Sequence, residues 1–285
     1  MPFNVRTDLA SEARELWQKS AGETTELSGV KAQDEMINGL KATTVEILDK
    51  QGSDTLCKPV GKYFTLFLDK LRRREENAFS DAAMALSSLL RRFAIPEDGD
   101  AVVACLGNRA ITPDALGPLC GDSVLVTRHL KRSLPESFAG FRSVAVIRPG
   151  VLAATGIESA ENVKAFCGQV QPSCVFVVDA LASASLERLG TTIQLADSGI
   201  APGSGVGNDR AAMNSDYLGV PVFAVGVPTV VDASAFSDAE FAKGMFVTPR
   251  SIDELVRGAA KLIGYAINLT LHPGITMADI DMLLE

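Results

Sequence analysis

The segment Ala101-Val-Val-Ala-Cys-Leu-Gly107-Asn108-Arg-Ala-Ile-Thr112-Pro-Asp114-Ala-Leu-Gly-Pro118 brings an apolar run, a sharp turn and a helix start together on one carboxylate. The run from Ala101 to Leu106 lies between Asp100 and Gly107 and shows no polar alternation, the pattern of a short strand buried on both faces. Thr112 suits an N-cap, Pro113 the first helical position, and Asp114 the first turn, where the helix dipole favours a negative charge. Strand, loop and helix in that order place the loop at the carboxyl end of a parallel strand, where open α/β sheets bind ligands. Taken alone, Asp114 reads first as an acid that only stabilises its helix.

A second acid changes that. In Cys174-Val-Phe-Val-Val178-Asp179-Ala-Leu an apolar run of strand length ends on Asp179, where the strand is expected to leave the sheet. If both runs belong to one parallel sheet, Asp114 and Asp179 emerge at the same edge. Two carboxylates in a partly dry cleft do not both ionise easily. One keeps a proton, and the pair then supplies a base and an acid together. That is the chemistry of metal-free water attack on a peptide carbonyl. Asp232, after the run Val222–Val225 and Gly226, is a third acid at the same expected edge, with a capping or turn role as its simpler reading.

Further outward, the alternation of strands and helices continues. Arg142–Ile147 reads as a core strand, residues 158–170 as a helix, 182–189 as a short helix, and 191–195 as a strand. Glu75–Phe93 and Ser251–Leu271 carry apolar residues at helical spacing, the second with Ser251 and Glu254 as a capping box. Such an order gives right-handed βαβ crossovers and a three-layer α/β fold with a mostly parallel central sheet. The segments 43–48 and 63–68 alternate like strands and are expected as a small β-hairpin appendage. The helix begun at Asp114 is expected to run to about Arg132. The loop from Asp197 to Asn208 is dense in glycine. It lacks both the Lys-Ser/Thr of a P-loop and a Gly-x-Gly-x-x-Gly opening a helix, so it is read as letting backbone approach a peptide rather than a nucleotide.

Composition bounds the function. At 285 residues, 47% hydrophobic but only 6% aromatic, the chain suits parallel strands covered by helices. A formal net charge of -8 argues against a nucleic-acid surface and tolerates a basic protein partner. Five cysteines without Cys-x-x-Cys, and His129 and His272 as the only histidines, give neither a disulfide framework nor a zinc pattern. No signal peptide or membrane-spanning run is read, so a reducing, cytoplasmic setting is expected, with no membrane partner and no cofactor or metal.

The sequence also resembles the germination protease family of spore-forming bacteria. The resemblance is carried by Val5-Arg-Thr-Asp-Leu-Ala10, Thr112-Pro-Asp-Ala-Leu-Gly-Pro118, Asp179-Ala-Leu-Ala182, Pro202-Gly-Ser-Gly-Val-Gly-Asn208 and Gly226-Val-Pro-Thr-Val-Val-Asp-Ala233. It implies a phosphorylase/hydrolase-like α/β endopeptidase of atypical aspartic type, acting on small acid-soluble, DNA-protecting spore proteins at germination. It also implies a zymogen in the developing spore and spore core, assembled as a homotetramer, whose two catalytic acids fall on Asp114 and Asp179. Family substrates are cut at Thr-Glu-(Phe or Ile)-Ala-Ser-Glu, and Thr7-Asp8-Leu9-Ala10-Ser11-Glu12 is close to it. Self-cleavage between Asp8 and Leu9 is therefore expected, giving a propeptide of residues 1–8 and a single peptidase domain of residues 9–285. Acidification, by favouring the singly protonated pair, should promote it. Asn108, Thr112, Ser204, Asn208 and Asp232 are the candidate substrate-binding or supporting residues. Longer family members carry an insertion where this chain has only Ala233 to Gly244. Two alternatives stay open: a metal-dependent maturation-type endopeptidase, suggested by part of a Gly-x-Gly-Asn pattern at Leu106-Gly-Asn108, and a non-catalytic binding module for a basic protein.

Overall fold

The computed structural model describes residues 7–21, 27–203, 211–236, 242 and 244–285. Among the described residues, nine strands form one sheet: β1 (Val30–Ile37), β2 (Leu40–Ile47), β3 (Gly61–Phe67), β4 (Ala101–Cys105), β5 (Val144–Ile147), β6 (Cys174–Ser183), β7 (Thr192–Ala196), β8 (Val222–Asp232) and β9 (Phe246–Val247). The order is β1-β2-β3-β7-β8-β6-β4-β5, with β9 paired to β8. The helices are α1 (Ala10–Ala21), α2 (Lys50–Leu56), α3 (Asp69–Arg72), α4 (Ala78–Leu90), α5 (Leu116–Cys120), α6 (Arg128–Ser133), α7 (Leu152–Thr155), α8 (Ser159–Val170), α9 (Ser215–Leu218), α10 (Ile252–Leu271) and α11 (Met277–Leu284).

The fold is α/β, but the sheet is mixed where a mostly parallel one was expected. Only β5, β4, β6 and β8 run parallel to their neighbours within that group. The pairs β1–β2, β2–β3, β3–β7, β7–β8 and β8–β9 are antiparallel. The expected hairpin appendage is corrected in the same way: β2 and β3 do pair, yet the free edge of β3 is taken by β7, so they continue the main sheet. Alternation within a strand says which face is buried and nothing about which partner takes its edge. β1 escaped the sequence reading because it is an exposed edge strand of polar composition. Its signal was the two-residue turn Asn38-Gly39, both at positive φ, the geometry of a type I′ hairpin.

Both faces of the sheet are covered. Val103, Cys105, Phe176 and Val178 pack into one core with α4 and α10, and their neighbours Val102, Ala104, Val175 and Val177 pack into another with α8. Toward the other end of that second face, Val45, Tyr63, Ala196 and Ala224 pack against α1. This period of two with both phases buried explains why β4 and β6 read as unbroken apolar runs.

Several boundaries differ from expectation, most of them beside the site. β6 does not stop at Asp179 but continues to Ser183, and β8 continues to Asp232, paired through a register shift beside Pro228. Proline cannot donate to the ladder, and a bulge absorbs that defect. Residues 182–189 accordingly hold only a single 3₁₀ turn, Leu186–Arg188. The helix expected to run from Asp114 to Arg132 is broken into a 3₁₀ turn at Thr112–Asp114, then α5, a loop and α6. Ser251 precedes α10 without a side-chain cap, whereas Thr276 and Asp279 form a full capping box on α11.

Gly117 explains how the turn reaches the strand ends. A Cβ there would lie 2.2 Å from the Leu106 carbonyl oxygen and 2.7 Å from that of Val178, so α5 rests directly on the backbone of β4 and β6. Neither obstacle is a side-chain tip that can swing away. Gly117→Ala is expected to cost about 1–3 kcal/mol of folding stability through overpacking, read as a lowered midpoint in urea denaturation.

Candidate active site

The two acids lie on elements brought together by that packing. β4 and β6 are in register with Cys105 opposite Val178, and the Leu106 N–H donates to the Val178 carbonyl at 2.8 Å. Asp179 is the next residue of β6. The chain then turns at Gly107, whose φ of 108° and approach to Asp114 exclude a side chain, since a Cβ would meet the Asp114 carbonyl oxygen at 2.0 Å. The turn returns Asp114 so that its Oδ2 accepts the Asn108 N–H at 2.8 Å. Asp179 is buried, and its Oδ1 accepts the Ala180 N–H at 2.9 Å. Both carboxylates line one cavity of about 440 Å³, together with Asp8, Gly107, Pro113 and Thr229.

Asp8 enters this site at a bend just before α1. Its N–H donates to the Ala182 carbonyl at 2.9 Å, and its Oδ2 accepts the Ala182 N–H at 2.8 Å, so it lies along β6 just beyond Asp179. A second cavity of about 210 Å³ is lined by Asp8 and Asp179 as well, with Lys58, Tyr63 and Gln194. Lys58 donates to the Thr7 carbonyl at 2.8 Å. Enclosure of its ammonium pushes the Lys58 pKa down, opposed by the negative charges of Asp8 and Glu12. Burial pushes Tyr63 up to about 12, so it stays a hydroxyl, donating to the Pro59 carbonyl.

Leu9 is fully buried, and its N–H donates to Thr7 Oγ1 at 3.0 Å. That hydroxyl donates in turn to Glu12 Oε2 at 2.5 Å. Buried Glu12 also accepts from Ser183 Oγ and from the Ala184 N–H, which fastens the start of α1 to the end of β6. Glu12→Ala would leave the Ala184 N–H without its acceptor, the Ser183 hydroxyl keeping the Ser185 carbonyl, at a cost of about 1–3 kcal/mol. The expected sign is faster amide exchange at residues 8–10 than in the unaltered chain.

The other expected residues are scattered. Asn108 orders the turn, its Oδ1 accepting the Ala110 N–H, and Thr112 donates to Asp253 of α10 at 3.3 Å rather than capping. Asp232 stands six residues beyond the position opposite Asp179, outside the cavity lining, where it caps the 3₁₀ turn Ala233–Ala235 by accepting the Ser234 N–H. Ser204 and Asn208 lie outside the described residues. Among the described residues no group of three or more His, Cys, Asp or Glu is placed to hold a metal ion, and no helix is long and apolar enough to cross a membrane.

The half-buried Asp114 and the buried Asp179 thus line one cavity at the edge of an α/β sheet, with Asp8 beside them, and sequence comparison gives the class of the chain. The family model described as germination protease matches residues 10–242. The germination protease of Caldanaerobacter subterraneus is 39% identical over 325 residues, covering 99% of both chains. That of Clostridium perfringens is 35% identical over 326 residues, covering 99% of this chain and all of the other. That of Oceanobacillus iheyensis is 42% identical over 241 residues, 82% of this chain and 65% of its own. The chain belongs to the germination protease family, and its class is that of a protease.

Sequence reasoning missed Lys58, Glu12 and Gln194. Gln194 had a usable signal: it is the single amide in the otherwise apolar end of a five-residue strand, Thr192-Ile-Gln-Leu-Ala196, and it is buried. A buried amide must find partners.

Proposed function

We propose that this chain is an endopeptidase of aspartic type that cuts itself between Asp8 and Leu9 and then degrades small acid-soluble, DNA-protecting proteins in the germinating spore core. The observation that carries this reading is that Asp114, Asp179 and Asp8 line one cavity, so the bond expected to be cut lies beside the acids expected to cut it. One carboxylate, ionised, takes a proton from water as the water attacks the carbonyl. The other, protonated, hands its proton to the departing amine. Residues 1–8 are then the propeptide, residues 9–285 the peptidase, and the unprocessed chain a zymogen. The homotetramer implied by the resemblance belongs to the same proposal.

Intact-mass analysis of the purified chain, held at neutral and at mildly acidic pH with and without a chelator, tests it. Loss of residues 1–8, faster in acid and indifferent to the chelator, is expected. An unchanged mass under every condition would favour a binding module, and protection by the chelator a metal-dependent enzyme.

A further inference from the structure

Gln194 holds the chain on both sides of the bond between Asp8 and Leu9. Its Nε2 donates to the Asp8 carbonyl at 2.9 Å, and its Oε1 accepts the Ala10 N–H at 2.6 Å. A carbonyl only accepts and an N–H only donates, so these two backbone partners fix which end of the amide faces which. The register puts the side chain where this is possible. Gln194 of β7 lies opposite Gly226 of β8, and Gly226 lies opposite Asp179 of β6. The three residues form one row across the sheet and share one face, the face that carries Ala224 and Ala196 toward α1. With neighbouring strands about 4.8 Å apart, the backbones of Gln194 and Asp179 stand about 10 Å from each other. The glycine between them contributes no side chain to that row, and the Asp8–Leu9 segment spans it.

We infer that Gln194 is a catalytic residue of the self-cleavage step, its side-chain N–H stabilising the oxyanion that forms on the Asp8 carbonyl oxygen while its carbonyl end keeps the chain beyond the bond in line. The inference rests on the self-cleavage reading. In the step, the water oxygen bonds to the Asp8 carbonyl carbon and the π electrons move onto the carbonyl oxygen, already 2.9 Å from Gln194 Nε2. The water proton goes to the basic carboxylate of the pair. The C–N bond then breaks as the Leu9 nitrogen takes the proton of the other carboxyl, leaving an α-carboxylic acid on Asp8, which loses its remaining proton to solvent, and an amine on Leu9. A donor 2.7–3.1 Å from the developing charge is worth roughly 10²- to 10³-fold in rate.

Two variants test this by intact mass across pH. Gln194→Met keeps the bulk and loses both bonds, and is expected to slow release of residues 1–8 by about 10²- to 10³-fold at every pH. Gln194→Glu keeps an acceptor for Ala10 but has a donor for Asp8 only when protonated. Its rate relative to the unaltered chain is expected to be depressed at neutral pH and to recover as the pH falls, a signature that a merely structural anchor does not produce. Should Gln194→Met fail to fold, the pH profile of Gln194→Glu decides alone. Release by a folded Gln194→Met within ten-fold of the unaltered rate, or a Gln194→Glu ratio flat with pH, overturns the assignment. Failure of the unaltered chain to release residues 1–8 overturns instead the self-cleavage reading, and this inference with it.

Discussion

Asp114→Asn and Asp179→Asn chains, held in mild acid until the unaltered protein has lost residues 1–8, are expected to keep the mass of all 285 residues. The two variants probe different halves of one proton cycle. An amide cannot take a proton from water, so replacing the basic carboxylate removes the nucleophile's activation. Replacing the acidic one removes the proton for the departing amine. Positioned acid–base groups contribute about 10²- to 10⁴-fold each. Residues acting as a unit are not additive, so the double variant should be little slower than either single one. Both carboxylates accept backbone N–H bonds, at Asn108 and Ala180, and asparagine keeps an oxygen able to accept them. Folding should therefore survive, which separates lost chemistry from lost structure. Release by either single variant within ten-fold of the unaltered rate would sink the acid pair as the catalytic machinery.

Stability should fall steeply in acid because of His272. Its ring is buried against Phe141, and neither nitrogen finds a hydrogen-bond partner among the described residues. Burial, with the positive charges of Arg142 and Lys131 adding to it, lowers its pKa from 6.5 to about 4. A histidine held neutral in the folded chain binds its proton more readily when unfolded. Its stabilising contribution is complete above pH 6.5 and is lost as the pH falls toward 4. The full loss amounts to about 3 kcal/mol, a large part of a typical folding free energy. The measurement is urea denaturation at a series of pH values in the Asp114→Asn background, where no cut complicates the transition. His272→Leu should flatten the slope between those two pH values. An equal slope with and without the histidine would refute the assignment.

The legible parts of this molecule were those in which local chemistry settles the outcome. The apolar runs of β4 and β6, the glycine turn at Gly107 and the amphipathic spacing of α4 and α10 can be read residue by residue, and the two acids follow from them. What the sequence hid was set by partners distant along the chain. β3 meets β7 across more than a hundred residues, so the antiparallel half of the sheet could not be seen from alternation alone. The extension of β6 past Asp179 depends on β8 continuing beside it. For the same reason the segment around Asp8 could be named only by its similarity to a cleavage site, while its hydrogen bonds to Ala182 and Gln194 lie more than 170 residues away.

The enclosure of Leu9 has an electrostatic consequence. Severing the bond before it converts a neutral amide nitrogen into an α-ammonium at a position with no exposed surface. An unpaired ion in such a place is costly. The route to a counter-ion is already laid out, because Thr7 Oγ1 links the Leu9 nitrogen to the carboxylate of Glu12 and departs with the leader. On the self-cleavage proposed above, the new terminus would either close onto Glu12 or turn out to solvent.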